Sequence, residues 1–476
     1  MASLAAFLRE RSNPATWLSR TRTLHLFLGN EASDADSIIS SICMAFLRQR
    51  AMPAESHFCA PWVQCRRGEL KVRAETEALL RCAGIDPAWL VYRDDWQLPL
   101  DPHSHGEVVL NLVDHNKLSQ QGDHLHDWAD DAVEAIWDHH PDLGCHMGAK
   151  VREIAFDTES MTGLGSCSTI VAEAFLSQAP EMMAARDPAR EPEAGRPFAF
   201  APGKEVALLL LGVMLLDTAC LSDAAGKAQP RDIAAANAAA AACGMAGGAT
   251  GSDARALFSD LSGRKFSREL WESLSIAEAV GADFKQTDVD TAWGTPLRVG
   301  YASVLAPLDL VLRAASPEEC HEALAQVCAD KGLNVLAILG FTLSGEPAVP
   351  HRELAMFAPE KGGESPASGA AAASVAPGAA GAGPEVAAMP SAEEILAAAA
   401  STIGAPLTAE AGSGEDNAFG MQLEAGNGVG DRPCVSASGH GRLARWNQGD
   451  VKASRKQIRP PMDSGIAAWA AAWERQ

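Results

Sequence analysis

The run Leu24-His25-Leu26-Phe27-Leu28 stops at a turn of small residues, Gly29-Asn30-Glu31-Ala32-Ser33-Asp34-Ala35-Asp36-Ser37, and gives way to residues 38–47, which read as a helix. An apolar run of this length, closed by a turn and followed by a helix, is the first unit of a sheet covered by helices. The pattern recurs. Residues 108–113 form a second apolar run that ends at Asp114, and 132–137 a third that ends at Asp138. Gly165-Ser166-Cys167-Ser168-Thr169 opens a helix running through Phe175, and 206–216 read as a buried helix with Asp217 at its end. Strands alternating with helices predict an α/β fold with a parallel sheet. Such sheets bind ligands in the crevice outside the carboxyl ends of their strands, which is where these aspartates fall. Two carboxylates aimed into one cleft suit a divalent cation.

The chain has 476 residues, room for roughly two to four domains on length alone. The first is expected over 1–222, and a linker or hinge rich in Ala and Gly over 223–251, with a helix at 233–243. A second, smaller α/β domain is expected over 252–476, with strands at 297–304 and 333–341. Residues 359–390 are dominated by Ala, Gly, Pro and Ser, a composition that buries too little apolar surface to offset ordering. That stretch reads as a disordered insertion in the second domain. No apolar run approaches the roughly 18 residues a membrane span requires, so no membrane association is expected. Arg9, Arg11, Arg20 and Arg22 are interrupted by Glu10 and Pro14 without an apolar core, which reads as an ordinary first helix. The eleven cysteines are scattered with no Cys-x-x-Cys pair. This predicts a reducing, cytoplasmic setting and argues against structural zinc. A net charge of −22 repels polyanions at long range and argues against nucleic acid as a partner. An anionic substrate would need that field inverted locally, by bound cations or by a basic cluster.

A lone aspartate after a strand is most often a helix cap. Four clusters at the ends of successive core elements are harder to explain that way: Asp34 with Asp36, Asp114-His115-Asn116, Asp138-His139-His140, and Asp217. Together they supply mixed carboxylate and imidazole donors for two divalent ions, Mg²⁺ or Mn²⁺ rather than zinc. Two such ions about 3.5–4 Å apart can share a bridging carboxylate and activate a water for in-line attack on phosphorus.

Gly29-Asn30-Glu31-x-x-Asp34-x-Asp36-Ser37, Leu112-Val113-Asp114-His115-Asn116, Asp138-His139-His140-Pro141 and Leu216-Asp217-Thr218 stand in the order of the four motifs of the DHH phosphoesterase superfamily. The resemblance is greatest to Prune-like exopolyphosphatases, with family II inorganic pyrophosphatases as cousins. The segment from Gly165 to Glu173 is similar to another Prune-like segment. The resemblance implies that Asp34 and Asp114 hold one metal, that Asp36, Asp114, His139 and Asp217 hold the other, and that Asp114 bridges. His140, beside a ligand, would face phosphate as hydrogen-bond donor or as acid to a leaving oxygen. His115 and Asn116 would orient their neighbours. Asn30 stands where the pyrophosphatases carry a metal-binding histidine, a choice similar to the exopolyphosphatases. As a neutral oxygen ligand it shifts expectation toward Mg²⁺; the alternative is a contact to substrate or water instead of metal.

In the C-terminal part, Ala453-Ser454-Arg455-Lys456-Gln457 resembles the Ser-Arg-Lys-Lys-Gln motif of the DHHA2 domain, shortened by one lysine. Lys285, in Asp283-Phe284-Lys285, resembles that domain's Asp-x-Lys segment. Six basic residues against one acidic lie between Arg442 and Arg459, counter to the trend of the chain. Ser454, Arg455, Lys456 and Lys285 are the expected phosphate ligands, Arg455 through a bidentate grip. His440 is a further, weaker candidate; His103, His105, His124 and His126 read as surface residues. The function these readings imply is release of orthophosphate from short-chain inorganic polyphosphate, with the second domain closing over the metals. Three alternatives stand beside it: a family II-like pyrophosphatase, a nucleotide phosphodiesterase, and a Prune-like scaffold with weak catalysis. No base-binding signature supports the second, and the full set of ligands argues against the third.

Overall fold

The computed structural model describes residues 3–17, 23–96, 107–118, 132–184, 203–291, 295–344, 349–360, 390–402, 421–423, 435–438, 440–448 and 455–473. Its contacts divide the chain into two units, Met1–Ser267 and Arg268–Gln476.

In the first unit the described elements are α1 (Leu4–Arg11), β1 (Thr23–Leu28), α2 (Ala35–Ala51), β2 (His57–Trp62), α3 (Ala74–Cys82), β3 (Val108–Val113), β4 (Val133–Asp138), β5 (Val151–Ile154), β6 (Phe156–Asp157), β7 (Thr162–Gly163), α4 (Cys167–Gln178), α5 (Glu205–Asp217), α6 (Pro230–Ala242) and α7 (Ser252–Lys265). The main sheet has the order β2-β1-β3-β4-β5 and is parallel throughout. Its strands read as apolar runs because both faces are covered. Leu24, Leu26 and Leu28 point to one core with Trp62, Leu110, Leu112 and Ile136. Phe27, Val113, Ala135 and Trp137 point to the other, with α2, α4 and α5. Helix α5 is buried from Glu205 through Leu215, and a helix apolar on every side belongs in an interior.

In the second unit the described elements are α8 (Arg268–Ser273), α9 (Ile276–Gly281), β8 (Phe284–Val289), β9 (Leu297–Val304), α10 (Leu308–Val311), α11 (Pro317–Lys331), β10 (Val335–Ser344), β11 (Val349–Pro359), α12 (Ala392–Ser401), β12 (Met421–Leu423), β13 (Val435–Ser438), β14 (Gly441–Gln448) and α13 (Arg455–Trp473). The sheet is mixed, in the order β12-β14-β11-β10-β9-β8 with β13 also on β14; β9 and β10 are parallel and the other pairs antiparallel. Val299, Tyr301, Ala337, Leu354 and Trp446 form its core with Leu396, Ile458 and Met462. No described helix is long and apolar enough to cross a membrane.

The expected linker at 223–251 is instead part of the first unit. Ala235, Ala236, Ala239, Ala240 and Ala242 of α6 are buried in its core with Leu257 and Leu261 of α7, and the division between units falls after Ser267. An alanine-rich stretch is equally what close helix packing uses, and composition alone does not separate the two. The insertion read at 359–390 lies outside the described residues from 361 to 389.

Gly29 joins β1 to the turn before α2, and a Cβ there would lie 2.7 Å from the Ser37 carbonyl oxygen and 2.8 Å from Ser37 Cβ. Gly29→Ala should therefore destabilise the chain by about 1–3 kcal/mol, read as a lowered urea midpoint. Gly68→Ala, where an added Cβ meets nothing within 4 Å, should leave the midpoint in place.

Candidate metal centre

The turn after β1 aims its two aspartates differently. Asp34 is the exposed N-cap of α2, and its Oδ1 accepts from Ser37 N (3.0 Å). Asp36, in the first turn of α2, is buried, and its carboxylate accepts five hydrogen bonds. Oδ1 takes Ser40 Oγ (2.9 Å), Ser168 N (2.9 Å) and Ser168 Oγ (2.8 Å); Oδ2 takes Ser166 Oγ (2.9 Å) and Cys167 N (2.6 Å). The first residues of α4 thus hold Asp36, with exposed N–H groups and helix dipole both favouring an anion there. The small polar run from Gly165 was the signal for this role, since serine and glycine let a carboxylate approach the backbone. The Arg73 guanidinium donates to Ala32 O and steadies the turn from outside.

Asp114 follows β3 with a φ of +66°, a conformation sparsely used outside glycine and concentrated at functional sites. Its amide donates to Trp137 O (2.8 Å). Asp114 Oδ2 accepts from Ser37 Oγ (2.7 Å) and Asn30 Nδ2 (2.8 Å), while Oδ1 lies 3.2 Å from His139 Nε2. Asn30, expected as a substrate contact or a neutral ligand, is buried, and its Oδ1 accepts from Ala32 N (2.9 Å) and Ser33 N (3.2 Å). Both ends of the amide are engaged, and Asn30 holds Asp114.

After β4, Asp138 is fully buried and organises the turn that carries both histidines. Its Oδ1 accepts from His139 N (2.8 Å), His140 N (3.2 Å) and the His140 ring at Nδ1 (2.8 Å); Oδ2 accepts from Asn116 Nδ2 (2.6 Å). Asn116 therefore orients Asp138 rather than Asp114, and also donates to Pro141 O (2.9 Å). His115 turns its Nδ1 to Val113 O (3.0 Å). His139 donates from Nδ1 to Leu164 O (2.7 Å), which turns Nε2 to Asp114 Oδ1 and, at 4.0 Å, Asp36 Oδ2. Asp217 ends α5, and behind it Ala219, Cys220 and Leu221 all have left-handed φ values. Each costs of order 1–2 kcal/mol; the run is held by Cys220 N on Leu215 O (2.7 Å) and Leu221 N on Thr218 Oγ1 (3.1 Å).

The electrostatics point one way. Burial raises the pKa of Asp114, and the Asp36 charge raises it further. Burial takes Asp217 well above the usual carboxylate range, with Asp36 adding to it. Burial pulls His139 down, but its contact with Asp114 and the charges of Asp114 and Asp36 more than reverse this. Asp138 differs: burial would raise it, but His140, His139 and Asn116 bring it down to about 2. Carboxylates that resist ionising together, beside a histidine driven to take up charge, mark a site that calls for a cation. Asp217 Oδ2 is a buried acceptor with no hydrogen-bond partner, and Asp114 Oδ1 has a donor beside it only when His139 is protonated; both are the kind of atom a metal would satisfy. Asp114, His139 and His140 offer ligand atoms within 4.8 Å of one another, the one such group of three or more among the described residues. Carboxylate oxygen with imidazole nitrogen is a donor set that divalent ions take. The residues fit a divalent metal.

In the second unit, Lys285 is half-buried on β8, opposite Tyr301 of β9. Helix α13 packs on this edge: Tyr301 Oη donates to Asp463 Oδ1 (2.5 Å) and Arg459 Nη2 to Gln286 O (3.3 Å). The backbones of Arg455 and Lys456 open that helix; their side chains and Ser454 lie outside the described residues. The basic excess between Arg442 and Arg459 is partly neutralised within the unit, since Arg442 pairs with Glu393 (2.9 Å), Arg445 with Asp309 (2.8 Å) and Arg459 with Asp463 (3.3 Å). His440 sits in an exposed turn with its N–H on Ser438 Oγ (3.1 Å). His103, His105, His124 and His126 lie outside the described residues.

Residues 267–464 match the DHHA2 domain family. Over 356 residues the chain is 27% identical to Exopolyphosphatase PRUNE1 of Mus musculus, covering 72% of this chain and 65% of that protein. It is 30% identical to the Homo sapiens protein of the same name over 223 residues, 45% of this chain and 40% of that one. Residues 267–464 thus carry a DHHA2 domain, and the chain is similar to the Prune exopolyphosphatases. The DHHA2 match falls on the mixed-sheet unit. The chain spans less than two thirds of the mouse relative's length. A crystal structure of a candidate family II inorganic pyrophosphatase from Methanococcus jannaschii aligns with a TM-score of 0.41 at 18% identity, over 70% of this chain and 87% of that one. A likeness that loose carries no functional argument.

Ser37→Ala removes one of the two donors on Asp114 Oδ2. Partners that orient a ligand are worth about 10–100-fold in metal affinity, so Mn²⁺ binding by the chelator-treated protein should weaken at least about tenfold, measured by calorimetric titration.

Proposed function

We propose that this protein is a metal-dependent phosphohydrolase that releases orthophosphate from short-chain inorganic polyphosphate. What supports the reading is the buried cluster in which His139 Nε2 lies 3.2 Å from Asp114 Oδ1 and 4.0 Å from Asp36 Oδ2, with the charge of Asp36 also acting on Asp217. The names of the curated relatives support the choice of polyphosphate. Asp36, Asp114, His139 and Asp217 would hold one divalent ion, and Asp34 with Asp114 the other, as Mg²⁺ or Mn²⁺. When bound, such ions neutralise phosphoryl oxygens and lower the pKa of water.

The chain's own residues do the rest. Ser37 and Asn30 hold Asp114 Oδ2, so that Oδ1 is the oxygen left for the site. Leu164 fixes the His139 tautomer, and its Nε2 is the nitrogen presented. Asp138 fastens His140 at Nδ1, leaving the other ring nitrogen to hold or deliver a proton at a leaving phosphate oxygen. Lys285, Ser454, Arg455 and Lys456 are the proposed phosphate ligands, with charge opposite to that of the chain as a whole. The buried, hydrogen-bonded carboxylates of Asp36 and Asp114 supply the preorganisation that stabilises charge with little reorganisation.

The test is phosphate release from pyrophosphate, tripolyphosphate and longer chains, each with Mg²⁺ and with Mn²⁺. Tripolyphosphate or a slightly longer chain should turn over fastest, and Asp114→Ala should lower turnover by at least about a thousandfold, the scale of losing an electrostatic group at the reacting centre. A preference for pyrophosphate would overturn the substrate, and wild-type turnover by Asp114→Ala would overturn the site.

A further inference from the structure

Asp232 lies in the stretch that composition marks as a linker, and the structure buries it completely in the first turn of α6. Its carboxylate accepts three hydrogen bonds. Oδ2 takes Gln229 N (2.7 Å) and Gly165 N (2.8 Å), and Oδ1 takes Thr169 Oγ1 (2.5 Å). Capping α6 needs only the first of these, and an uncharged residue could supply it. The other two reach the segment at the start of α4, Gly165 just before the helix and Thr169 in its first turn. A fully buried carboxylate is costly unless its bonds are all made, so its presence calls for a reason beyond the cap.

The reason lies on the far side of that segment. Residues 164–168 form a strap between Asp232 and the metal centre. Leu164 O takes the His139 Nδ1 proton, while Ser166, Cys167 and Ser168 direct four of the five hydrogen bonds on Asp36. The strap has no slack at Gly165, where a Cβ would lie 2.6 Å from Thr218 Cγ2 and 3.0 Å from Lys227 O. Two proposed ligands from distant parts of the chain are thus aimed by one short strap, and Asp232 grips that strap from behind.

We infer that Asp232 is a positioning residue of the metal centre, acting through the strap at 164–168. The inference rests on the metal-dependent reading above. None of the Asp232 hydrogen bonds goes to a proposed ligand; it fixes the angle at which His139 and Asp36 meet the cation. Asp232→Asn keeps size and a capping oxygen but puts a donor where Gly165 N or Thr169 Oγ1 also donates. The neighbouring Arg231 is the control: it ties α6 to α4 through Glu173 (2.6 Å) without touching the strap.

The experiment is Mn²⁺ titration of the full-length, chelator-treated protein, followed by the electron paramagnetic resonance of free Mn²⁺, with the thermal midpoint of each variant recorded in chelator. Asp232→Asn should bind Mn²⁺ at least about tenfold more weakly, the usual scale for groups that orient ligands, and Arg231→Ala should bind as wild type. Unchanged Mn²⁺ affinity in Asp232→Asn would overturn the inference. So would a loss in both variants that tracks their midpoints, since the effect would then be general loosening of α4. Should Asp232→Asn not fold, Thr169→Val, which removes only the hydroxyl on Oδ1, carries the same expectation and the same refutation. A wild-type protein that takes up no Mn²⁺ would overturn the metal-centre reading itself, and the inference with it.

Discussion

Three carboxylates, those of Asp36, Asp114 and Asp138, are held almost wholly out of water at the mouth of an apolar sheet, and much of the first unit is arranged around that fact. Each oxygen withdrawn from water needs a donor or a cation. Asp36 takes its donors from the opening of α4, Asp138 from its own turn and Asn116, and Asp114 from Ser37 and Asn30 on the turn after β1. Oxygens on Asp114 and Asp217 are left without a hydrogen-bond donor. Donor supply on one side and donor shortage on the other is how a protein fold shapes a cation site before any ion arrives.

That arrangement depends on backbone conformations the chain adopts at some cost. Asp114 turns left-handed as it leaves β3, and three residues behind Asp217 do the same. Gly29 and Gly165 stand where any side chain would collide with the elements that carry the ligands. Strain of this kind persists only where packing over-determines it, and here it is surrounded by the largest core in the unit. The second unit manages charge differently. Arg442, Arg445 and Arg459 are matched to carboxylates within it, so a count of basic residues overstates the positive field available to a phosphate.

Much of this was legible in the chain before folding. The strands through Leu26, Leu110 and Ile136 announced themselves because both faces are buried, which makes their sequences apolar without interruption. Helix α5 was legible for the same reason. Asp34, Asp36, Asp114, His139 and Asp217 could be singled out because each ends a predicted core element. The alanine-rich α6 was not legible as core, because alanine is small enough to serve both loose connections and close helix contacts. The partners of Asn30 were not legible, because an amide offers both a donor and an acceptor. Which of them faces the site depends on a turn geometry that spacing does not reveal.

The order of buried strands, the carboxylates at their ends and the anionic balance of the whole chain were determined by the sequence alone, since periodicity and composition act locally and need no partner. The tertiary structure alone decided which oxygen of each carboxylate is tied and which is left, that the run at 164–168 grips both Asp36 and His139, and that Asp232 stands behind it. These are contacts between residues up to about 130 positions apart in the chain. A hydrogen bond is directional and short-ranged, so its partner is chosen only once packing has brought the two segments within about 3 Å.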